Sequence, residues 1–236
     1  MSLEPQANSS TANLSAQPIP GGWTLRSVEL RGHTLEMLVP ADPDQFLDFL
    51  TPSDNHPSWP DPYWAKLWPM SIELANQVLA AKWPANSRVV EIGCGCGIPG
   101  IAALACGMAV SFSDYIPLAM DLALANAARN GYSSGQALFL DWRDPPQLDF
   151  DIVLASEILY DRTLHEPILQ TLRNILRPGG FAWLADPGRT AAEEFVPRAL
   201  AEGWGVTLWD AAGNEHPRLR FNNFNLIELR KPRDWK

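Results

Sequence analysis

The sequence predicts an α/β domain in which helices cover both faces of a mostly parallel sheet. From residue 88 onward, short apolar runs alternate with amphipathic segments, which is the rhythm of βαβ units. The chain has 236 residues, enough to bury one substantial core. The last two apolar runs, 205–209 and 219–229, have no helical pattern between them. We therefore expect these two strands to form an antiparallel hairpin at the end of the sheet.

The N-terminal part of the chain is expected to lie outside this domain. Residues 1–22 are rich in Ser, Asn, Gln and Pro and contain no Lys or Arg. We expect them to form a disordered leader, because a secretory or transit peptide carries basic residues. Two apolar runs, 24–30 and 34–39, flank a short turn that contains glycine. They predict a small hairpin within an accessory element that extends over residues 23–56.

The main domain is expected over residues 57–236. Pro69 begins its first helix, because the first helical position tolerates proline. Apolar runs predict the first five strands at 88–92, 109–113, 137–140, 151–155 and 180–185. Apolar residues three and four positions apart predict the later helices at 99–106, 117–130, 163–176 and 190–201. The turn formed by Pro178, Gly179 and Gly180 should separate the third of these helices from the next strand.

Composition and charge narrow the class of protein. The chain carries a net charge of −9, from 18 basic and 27 acidic side chains. We find no clustered basic run, which argues against a protein that binds nucleic acid. The three cysteines lack the spacing of a disulfide framework or a zinc site, and the four histidines show no metal-ligand spacing. No apolar stretch is long enough to cross a bilayer. We expect a cytoplasmic monomer without a metal ion, a nucleic-acid partner or a membrane partner.

The most informative segment is 89–100, where an apolar run ends on Glu91 and then breaks into glycines. Glycines at such a position let the backbone turn sharply and approach a ligand, while the next helix presents its free N–H groups. The spacing of Gly95, Gly97 and Gly100 also fits the dinucleotide fingerprint, and Asp114 lies near the usual position of a ribose-binding acid. The glycines therefore predict a nucleotide-like cofactor and leave a dinucleotide open.

Seven strands that end in an antiparallel pair, with Glu-x-Gly-x-Gly-x-Gly after the first, resemble the class I S-adenosylmethionine-dependent methyltransferases. The resemblance covers roughly residues 57–230 and implies a Rossmann-like fold. More narrowly, the chain resembles methyltransferase family 16, and most closely the electron transfer flavoprotein β-subunit lysine methyltransferases and their bacterial relatives. Four motifs carry this resemblance: Pro62-Tyr63-Trp64-Ala65-x-x-Trp68-Pro69, Asp141-Trp142, Ala155-Ser156-Glu157-Ile158-Leu159-Tyr160-Asp161 and Asp186-Pro187-Gly188-Arg189. The chain departs from many relatives by having Glu157 where they have Asp.

The resemblance implies S-adenosyl-L-methionine as the cofactor. The glycine loop would wrap its methionine portion, with Glu91 fixing the loop, and Asp114 would accept both ribose hydroxyls. Asp141 would accept a hydrogen bond from the exocyclic amine of the adenine. The adjacent backbone N–H of Trp142 would donate to the adenine ring. The full set of implied cofactor-binding residues is Trp68, Glu91, Gly93, Gly95, Gly97, Asp114, Tyr115, Asp141, Trp142 and Ser156.

The resemblance also implies residues that act on the methyl acceptor. Glu157 and Tyr160 would line the methyl-transfer chamber, and Asp186 would complete the catalytic set. The implied substrate-binding residues are Trp64, Asp161 and Arg189. Trp59, Tyr63, Trp64 and Trp68 could form a wall or lid over the cofactor, and packing on the sheet edge is the alternative for at least two of them.

The implied activity is methyl transfer from S-adenosylmethionine to an amine nitrogen, and we favour a lysine side chain of a protein as the acceptor. A small-molecule amine, such as a nicotinamide-like one, remains an alternative. A nicotinamide-dependent dehydrogenase would also explain the loop, but the chain lacks room for its substrate domain. A non-catalytic cofactor-binding module is a further alternative, which the acid at 157 and the turn at 186–189 disfavour.

Overall fold

The computed structural model describes residues 19, 21–42, 44–45 and 62–235. The predicted leader, 1–22, therefore lies almost entirely outside the described residues. The same is true of most of the accessory element beyond residue 42, and of Trp59.

A seven-stranded sheet forms the centre of the described structure. A separate antiparallel hairpin precedes it and consists of β1 (Trp23–Leu30) and β2 (His33–Pro40). The strands of the sheet are β3 (Arg88–Ile92), β4 (Ala109–Asp114), β5 (Gln136–Phe139), β6 (Phe150–Ser156), β7 (Leu176–Asp186), β8 (Gly205–Trp209) and β9 (Asn225–Arg230). Their spatial order is β5-β4-β3-β6-β7-β9-β8. Strands β3 to β7 pair in parallel, whereas β9 is antiparallel to both β7 and β8. The predicted fold class is confirmed.

Helices cover both faces of this sheet. They are α1 (Pro69–Ala80), α2 (Ile98–Ala105), α3 (Pro117–Arg129), α4 (His165–Ile175) and α5 (Phe195–Ala201). Alternate residues of a strand point to opposite faces. Accordingly, Val89 and Ile152 pack with α1, α2, α3 and the hairpin, while Val90 and Val153 pack with α4 and α5. None of the described helices combines the length and the hydropathy that a membrane span requires.

Three local predictions differ from the structure. The helix predicted at 190–201 begins as a 3₁₀ turn, Thr190–Glu194, and only Phe195–Ala201 is α-helical. The strand predicted at 219–229 is shorter, Asn225–Arg230. Strand β7 starts directly after α4, so the Pro-Gly-Gly turn lies inside the strand as an irregularity in its pairing with β6. Gly179 accounts for this, because its φ of 78° lets the chain bulge without breaking the strand.

The strand order places a topological switch point between β3 and β6. After β3 the chain builds outward through β4 and β5, then returns to the other side of β3 to add β6. In an open parallel sheet, the connections diverge at such a point and leave a crevice beyond the carboxyl ends of the strands. Asp114, Ser156 and Asp186 end β4, β6 and β7, so this edge carries the predicted polar residues.

Candidate active site

A cavity of about 430 Å³ opens at the carboxyl edge of the sheet, beside the switch point. Its walls come from the loop after β3, the ends of β4 and β6, the segments after β5 and β7, and the residues that precede α1. Of the sixteen predicted site residues, thirteen line it: Trp64, Trp68, Gly93, Gly95, Gly97, Asp114, Tyr115, Asp141, Trp142, Ser156, Glu157, Tyr160 and Arg189. The fold thus brings residues from distant parts of the chain to one place.

The remaining three predicted residues, Glu91, Asp161 and Asp186, do not belong to the cavity lining. Glu91 is buried beneath the loop, and its Oε2 accepts a hydrogen bond from the N–H of Gly100 at 2.8 Å. Burial raises the pKa of Glu91 well above its usual value, and the nearby charge of Asp114 adds to this. Asp161 is partly exposed and accepts hydrogen bonds from the backbone and the hydroxyl of Thr163, both at 2.8 Å. Their predicted roles therefore remain predictions.

The glycine loop is held between the end of β4 and the segment that precedes α1. The N–H of Gly95 donates to Oδ2 of Asp114 at 3.3 Å. Gly95 has a φ of 48°, and a Cβ atom added there would lie 2.4 Å from the carbonyl oxygen of Trp64. Real Cβ atoms do not approach backbone oxygens so closely, so only glycine fits this position without moving the neighbouring segment. The close contact makes Trp64 and its neighbours one wall of the loop.

Asp114 is buried at the floor of the cavity, with 6% of its surface exposed. Its Oδ1 accepts from the N–H of Ile116 at 3.1 Å and its Oδ2 from that of Gly95. Burial raises its pKa from 3.8 to about 6, although backbone hydrogen bonds oppose this. An ionised carboxylate offers about four acceptor sites, so Asp114 can also accept a hydrogen bond from a ligand in the cavity. This position suits a ribose hydroxyl.

Asp141 and Trp142 line the cavity beyond β5. Asp141 accepts hydrogen bonds from the backbone N–H and the Nε of Arg143, both at 2.9 Å, and the bond from the guanidinium lowers its pKa. The ring of Trp142 packs against the loop, 3.3 Å from where a Cβ of Gly93 would stand. This end of the cavity therefore combines an acid with an aromatic face, which a flat base with an exocyclic amine can contact.

Glu157 anchors the opposite wall. It has a φ of 58°, a left-handed conformation that is uncommon for a residue with a side chain. Its Oε1 accepts from the N–H of Met70 at 3.0 Å, so this distant acid caps the first turn of α1. Its Oε2 forms a salt bridge with Nη2 of Arg189. Such strained residues persist where surrounding contacts fix them, and they concentrate at functional sites.

Arg189 connects Glu157 with the end of β7. Its Nη1 lies 3.3 Å from Oδ2 of Asp186, and its backbone N–H donates to Oδ1 of the same residue at 2.8 Å. Asp186 is fully buried, and this burial raises its pKa, while the charge and hydrogen bonds of Arg189 oppose the shift. The guanidinium also lies 5.9 Å from the centre of the Trp68 ring. The cation therefore occupies a corner formed by two carboxylates and an indole.

Trp68 belongs to the aromatic segment that borders the cavity. Its Nε1 donates to the carbonyl of Tyr63 at 2.9 Å, and the two rings meet edge to face at 6.0 Å. The ammonium of Lys66 lies 4.8 Å from the centre of the Trp68 ring. Trp64 both lines the cavity and packs against the core. The described aromatic residues thus form a wall of the site.

Several residues that line the cavity were not predicted from the sequence. Ile116 and Ile158 follow predicted site residues within two positions, so the strand-end motifs could have indicated them. Lys66 stands at an unspecified position of the aromatic motif, and no sequence signal distinguished it. The missed residues are Lys66, Ser71, Cys94, Cys96, Ile98, Ile116, Leu140, Arg143, Ile158 and Leu164.

Comparison with known proteins supports the same class of site. Residues 65–202 match the family model of the lysine methyltransferases, methyltransferase family 16. The chain is 34% identical over 128 residues to a histidine protein methyltransferase 1 homolog of Dictyostelium discoideum, covering 51% of this chain and 41% of that protein. It is 30% identical over 162 residues to an electron transfer flavoprotein beta subunit lysine methyltransferase of Danio rerio, covering 64% and 63%. The chain thus spans about 40 to 65% of these relatives' lengths.

A solved structure shares the fold at lower sequence identity. It is the glycopeptide N-methyltransferase MtfA in complex with S-adenosyl-L-methionine, with a TM-score of 0.53 and 17% identity over 68% of this chain and 93% of that one. The family match extends over more than half of the chain and includes the loop, Asp114, Glu157 and Arg189. The chain therefore belongs to the lysine methyltransferase family, within the class I S-adenosylmethionine-dependent methyltransferases.

Proposed function

We propose that this protein transfers a methyl group from S-adenosylmethionine to a nitrogen of a protein side chain, and that the acceptor is lysine. The observation that carries the proposal is the cavity itself. The loop and the strand-end acid Asp114 line one side, and the ion pair of Glu157 and Arg189 lines the other. One side suits a nucleoside and the other suits an acceptor group that must approach it.

The cofactor-binding residues would act in three groups. Asp114 accepts hydrogen bonds from the ribose hydroxyls, because it lines the cavity beside the loop. Asp141 and Trp142 receive the adenine. The loop at 93–97 encloses the methionine portion, with Trp68, Tyr115 and Ser156 completing the walls. S-adenosylmethionine supplies an electrophilic methyl group on a sulfonium, so the protein needs to provide alignment and a dry chamber rather than a covalent nucleophile.

The acceptor side must deliver an uncharged amine. A free lysine has a pKa of about 10.4, so the side chain has to lose a proton before it can attack. The apolar walls of the chamber lower the pKa of an amine by desolvation, and its proton passes to water before the attack. Arg189 pairs with Glu157 and Asp186, so these two carboxylates stabilise the ammonium form less than unpaired ones would. Tyr160 and Trp64 line the chamber, and Asp161 and Asp186 hold its neighbouring turns.

Methyl labelling tests the proposal. The purified protein is incubated with a cell extract and methyl-labelled S-adenosylmethionine, and acid-precipitable label is separated from acid-soluble label. We expect label in a discrete protein band, with mass spectrometry locating the methyl group on lysine. The Asp114→Ala variant serves as the control, because removing the carboxylate should abolish cofactor binding.

Other outcomes would change the proposal in defined ways. Label on histidine or arginine would still indicate a protein methyltransferase, but the acceptor residue would not be lysine. Label only in the soluble fraction would indicate a small-molecule amine instead. The absence of label in either fraction, together with normal S-adenosylhomocysteine binding, would indicate a cofactor-binding module.

We also propose that the protein acts in the cytoplasm as a monomer, without nucleic-acid or membrane partners. The net charge of −9 disfavours a nucleic-acid partner, and the three free cysteines are typical of a reducing compartment such as the cytoplasm. We further propose that residues 57–236 form the methyltransferase domain, with the hairpin before it. Cell fractionation, size-exclusion chromatography with light scattering and limited proteolysis would test these proposals.

A further inference from the structure

The N-terminal hairpin contacts the methyltransferase fold through asparagine side chains. Strands β1 and β2 form a sheet of their own, separate from the seven-stranded sheet. On α3, Asn126 accepts from the N–H of Leu38 at 2.7 Å and donates to its carbonyl at 3.2 Å. One turn later, Asn130 makes the same pair of bonds with Glu36, at 2.9 and 3.1 Å. Two amides four residues apart thus satisfy one edge of β2, as a neighbouring strand would.

The two asparagines differ in one contact. Asn126 is fully buried, and its second amide hydrogen donates to the carbonyl of Cys96 at 3.2 Å. The corresponding bond of Asn130 returns to the backbone of α3, at the carbonyl of Asn126, 2.8 Å away. Cys96 lies in the glycine loop that lines the cavity. Asn126 therefore joins the hairpin, α3 and the loop, whereas Asn130 joins only the first two.

We infer that Asn126 is a positioning residue for the glycine loop and that it makes the hairpin part of the cofactor site. The inference rests on the proposed function, in which this loop binds S-adenosylmethionine. Loss of Asn126 would weaken cofactor binding although its side chain does not line the cavity.

The physical basis is the orientation of one peptide group. The peptide between Cys96 and Gly97 is planar, so fixing its carbonyl also fixes its N–H. That N–H donates to the carbonyl of Cys94 at 2.7 Å and closes the loop. On the other side of the loop, the N–H of Gly95 donates to Asp114. The loop is therefore held by Asp114 from β4 and by Asn126 from α3.

The hairpin stabilises this arrangement by holding the amide of Asn126. The backbone N–H and the carbonyl of Leu38 both bond to this amide. The amide plane therefore cannot rotate away from Cys96 while β2 is docked. Without Asn126, the carbonyls of Leu38 and Cys96 would lose a partner in a buried environment, which favours a rearranged loop. A substitution that undocks the hairpin should therefore weaken cofactor binding.

Two variants separate this role from simple attachment of the hairpin. Asn126→Ala and Asn130→Ala each remove one amide from β2, but only the first removes a bond to the loop. Isothermal titration with S-adenosylhomocysteine should give a dissociation constant about tenfold higher for Asn126→Ala, as expected for one buried hydrogen bond. Asn130→Ala should stay within about twofold of the parent protein. Urea unfolding of both variants reports the loss of stability that attachment alone would cause.

Amide exchange in the parent protein provides a second test that needs no variant. Coupling between two sites is reciprocal, so a ligand that orders the loop must also tighten the contact between Asn126 and Leu38. On addition of S-adenosylhomocysteine, exchange of the Leu38 amide should slow, while exchange of the Glu36 amide should remain unchanged.

The outcomes are distinct. Equal binding by Asn126→Ala and the parent protein, or equal weakening by both variants, would overturn the inference. Slowing of both amides to the same degree would overturn it as well. A parent protein that did not bind S-adenosylhomocysteine would overturn the proposed function first.

Discussion

The two sides of the cavity are built in different ways. On the cofactor side, backbone groups and buried acids define the shape, as in the bonds from Gly95 and Ile116 to Asp114. On the acceptor side, a charged network of long side chains does so, with Arg189 between Glu157 and Asp186. The loop and Asp114 on the first side come from one continuous βαβ unit, whereas the second side joins the ends of β6 and β7 to the start of α1.

The difference indicates how each side can vary. A backbone loop fits one ligand closely, and it tolerates few substitutions because each glycine meets a neighbouring atom. A network of side chains can be altered at one residue without moving the backbone. Cofactor binding and turnover should therefore respond to different substitutions, and four predictions test this, in order of decreasing effect.

Gly95→Ala should have the largest effect. The new Cβ would overlap the carbonyl oxygen of Trp64, so either the loop or the wall must move. We expect the affinity for S-adenosylhomocysteine to fall below detection by isothermal titration. Gly107→Ala is the matched control, because Gly107 also has a positive φ, 76°, but has open space around it. That control should lose about 1 kcal/mol of stability and retain binding. Normal binding by Gly95→Ala would contradict the close fit.

Asp114→Asn should weaken S-adenosylhomocysteine binding about tenfold, because a neutral amide offers fewer acceptor sites for the ribose hydroxyls. Asp121→Asn removes the same charge at an exposed position of α3 and should leave binding unchanged. If both variants bound equally well, the assignment of Asp114 to the ribose would be wrong.

The raised pKa of Asp114 gives this prediction a pH signature. Its pKa of about 6 lies above the ordinary 3.8, so the folded protein binds the proton more tightly than the unfolded chain. The contribution of Asp114 to stability without cofactor therefore rises as pH falls from about 6 to about 4. Cofactor affinity should fall over the same range as the carboxylate is neutralised. Asp114→Asn should reduce the pH dependence of both stability and cofactor affinity. Part of the pH dependence of stability should remain, because the pKa values of Glu91 and Asp186 are also raised.

Glu157→Gln should lower turnover about tenfold and leave S-adenosylhomocysteine affinity within about twofold. Glutamine can still accept from the N–H of Met70, so the start of α1 is preserved, but one of the two carboxylates that pair with Arg189 is lost. Steady-state kinetics with the identified acceptor would measure the effect. A double-mutant cycle with Arg189→Gln should show that the two losses are not additive. Additive losses would mean that the ion pair does not act as a unit.

Asp161→Ala should have the smallest effect. The carboxylate supports the 3₁₀ turn at Arg162–Leu164 through Thr163 and does not line the cavity. We expect turnover to change by less than about twofold and cofactor affinity to be unchanged, as measured by the same two assays. A tenfold loss of turnover would instead support direct contact between Asp161 and the acceptor.

Much of this molecule could be predicted from local patterns. Apolar runs that alternate with amphipathic segments predicted the parallel strands, and the break into glycines after Glu91 predicted the loop. Strand-end acids were placed at the site because the carboxyl ends of parallel strands share one edge. The prediction of a turn at Pro178-Gly179-Gly180 was wrong, because two different local structures share this sequence pattern. The Pro-Gly-Gly turn is compatible with both a helix stop and a bulged strand, and the pairing of β7 with β6 selected the bulge.

The sequence by itself determined the fold class, the family and the residues most able to hold a nucleotide-like cofactor, because these depend on short-range periodicity and compact motifs. Tertiary structure alone decided which side chains meet. Glu157 contacts Met70 across 87 residues and Arg189 across 32, and Asn126 reaches Cys96 across 30. Such contacts depend on strand order, register and helix docking, which many distant residues determine together and no local pattern encodes.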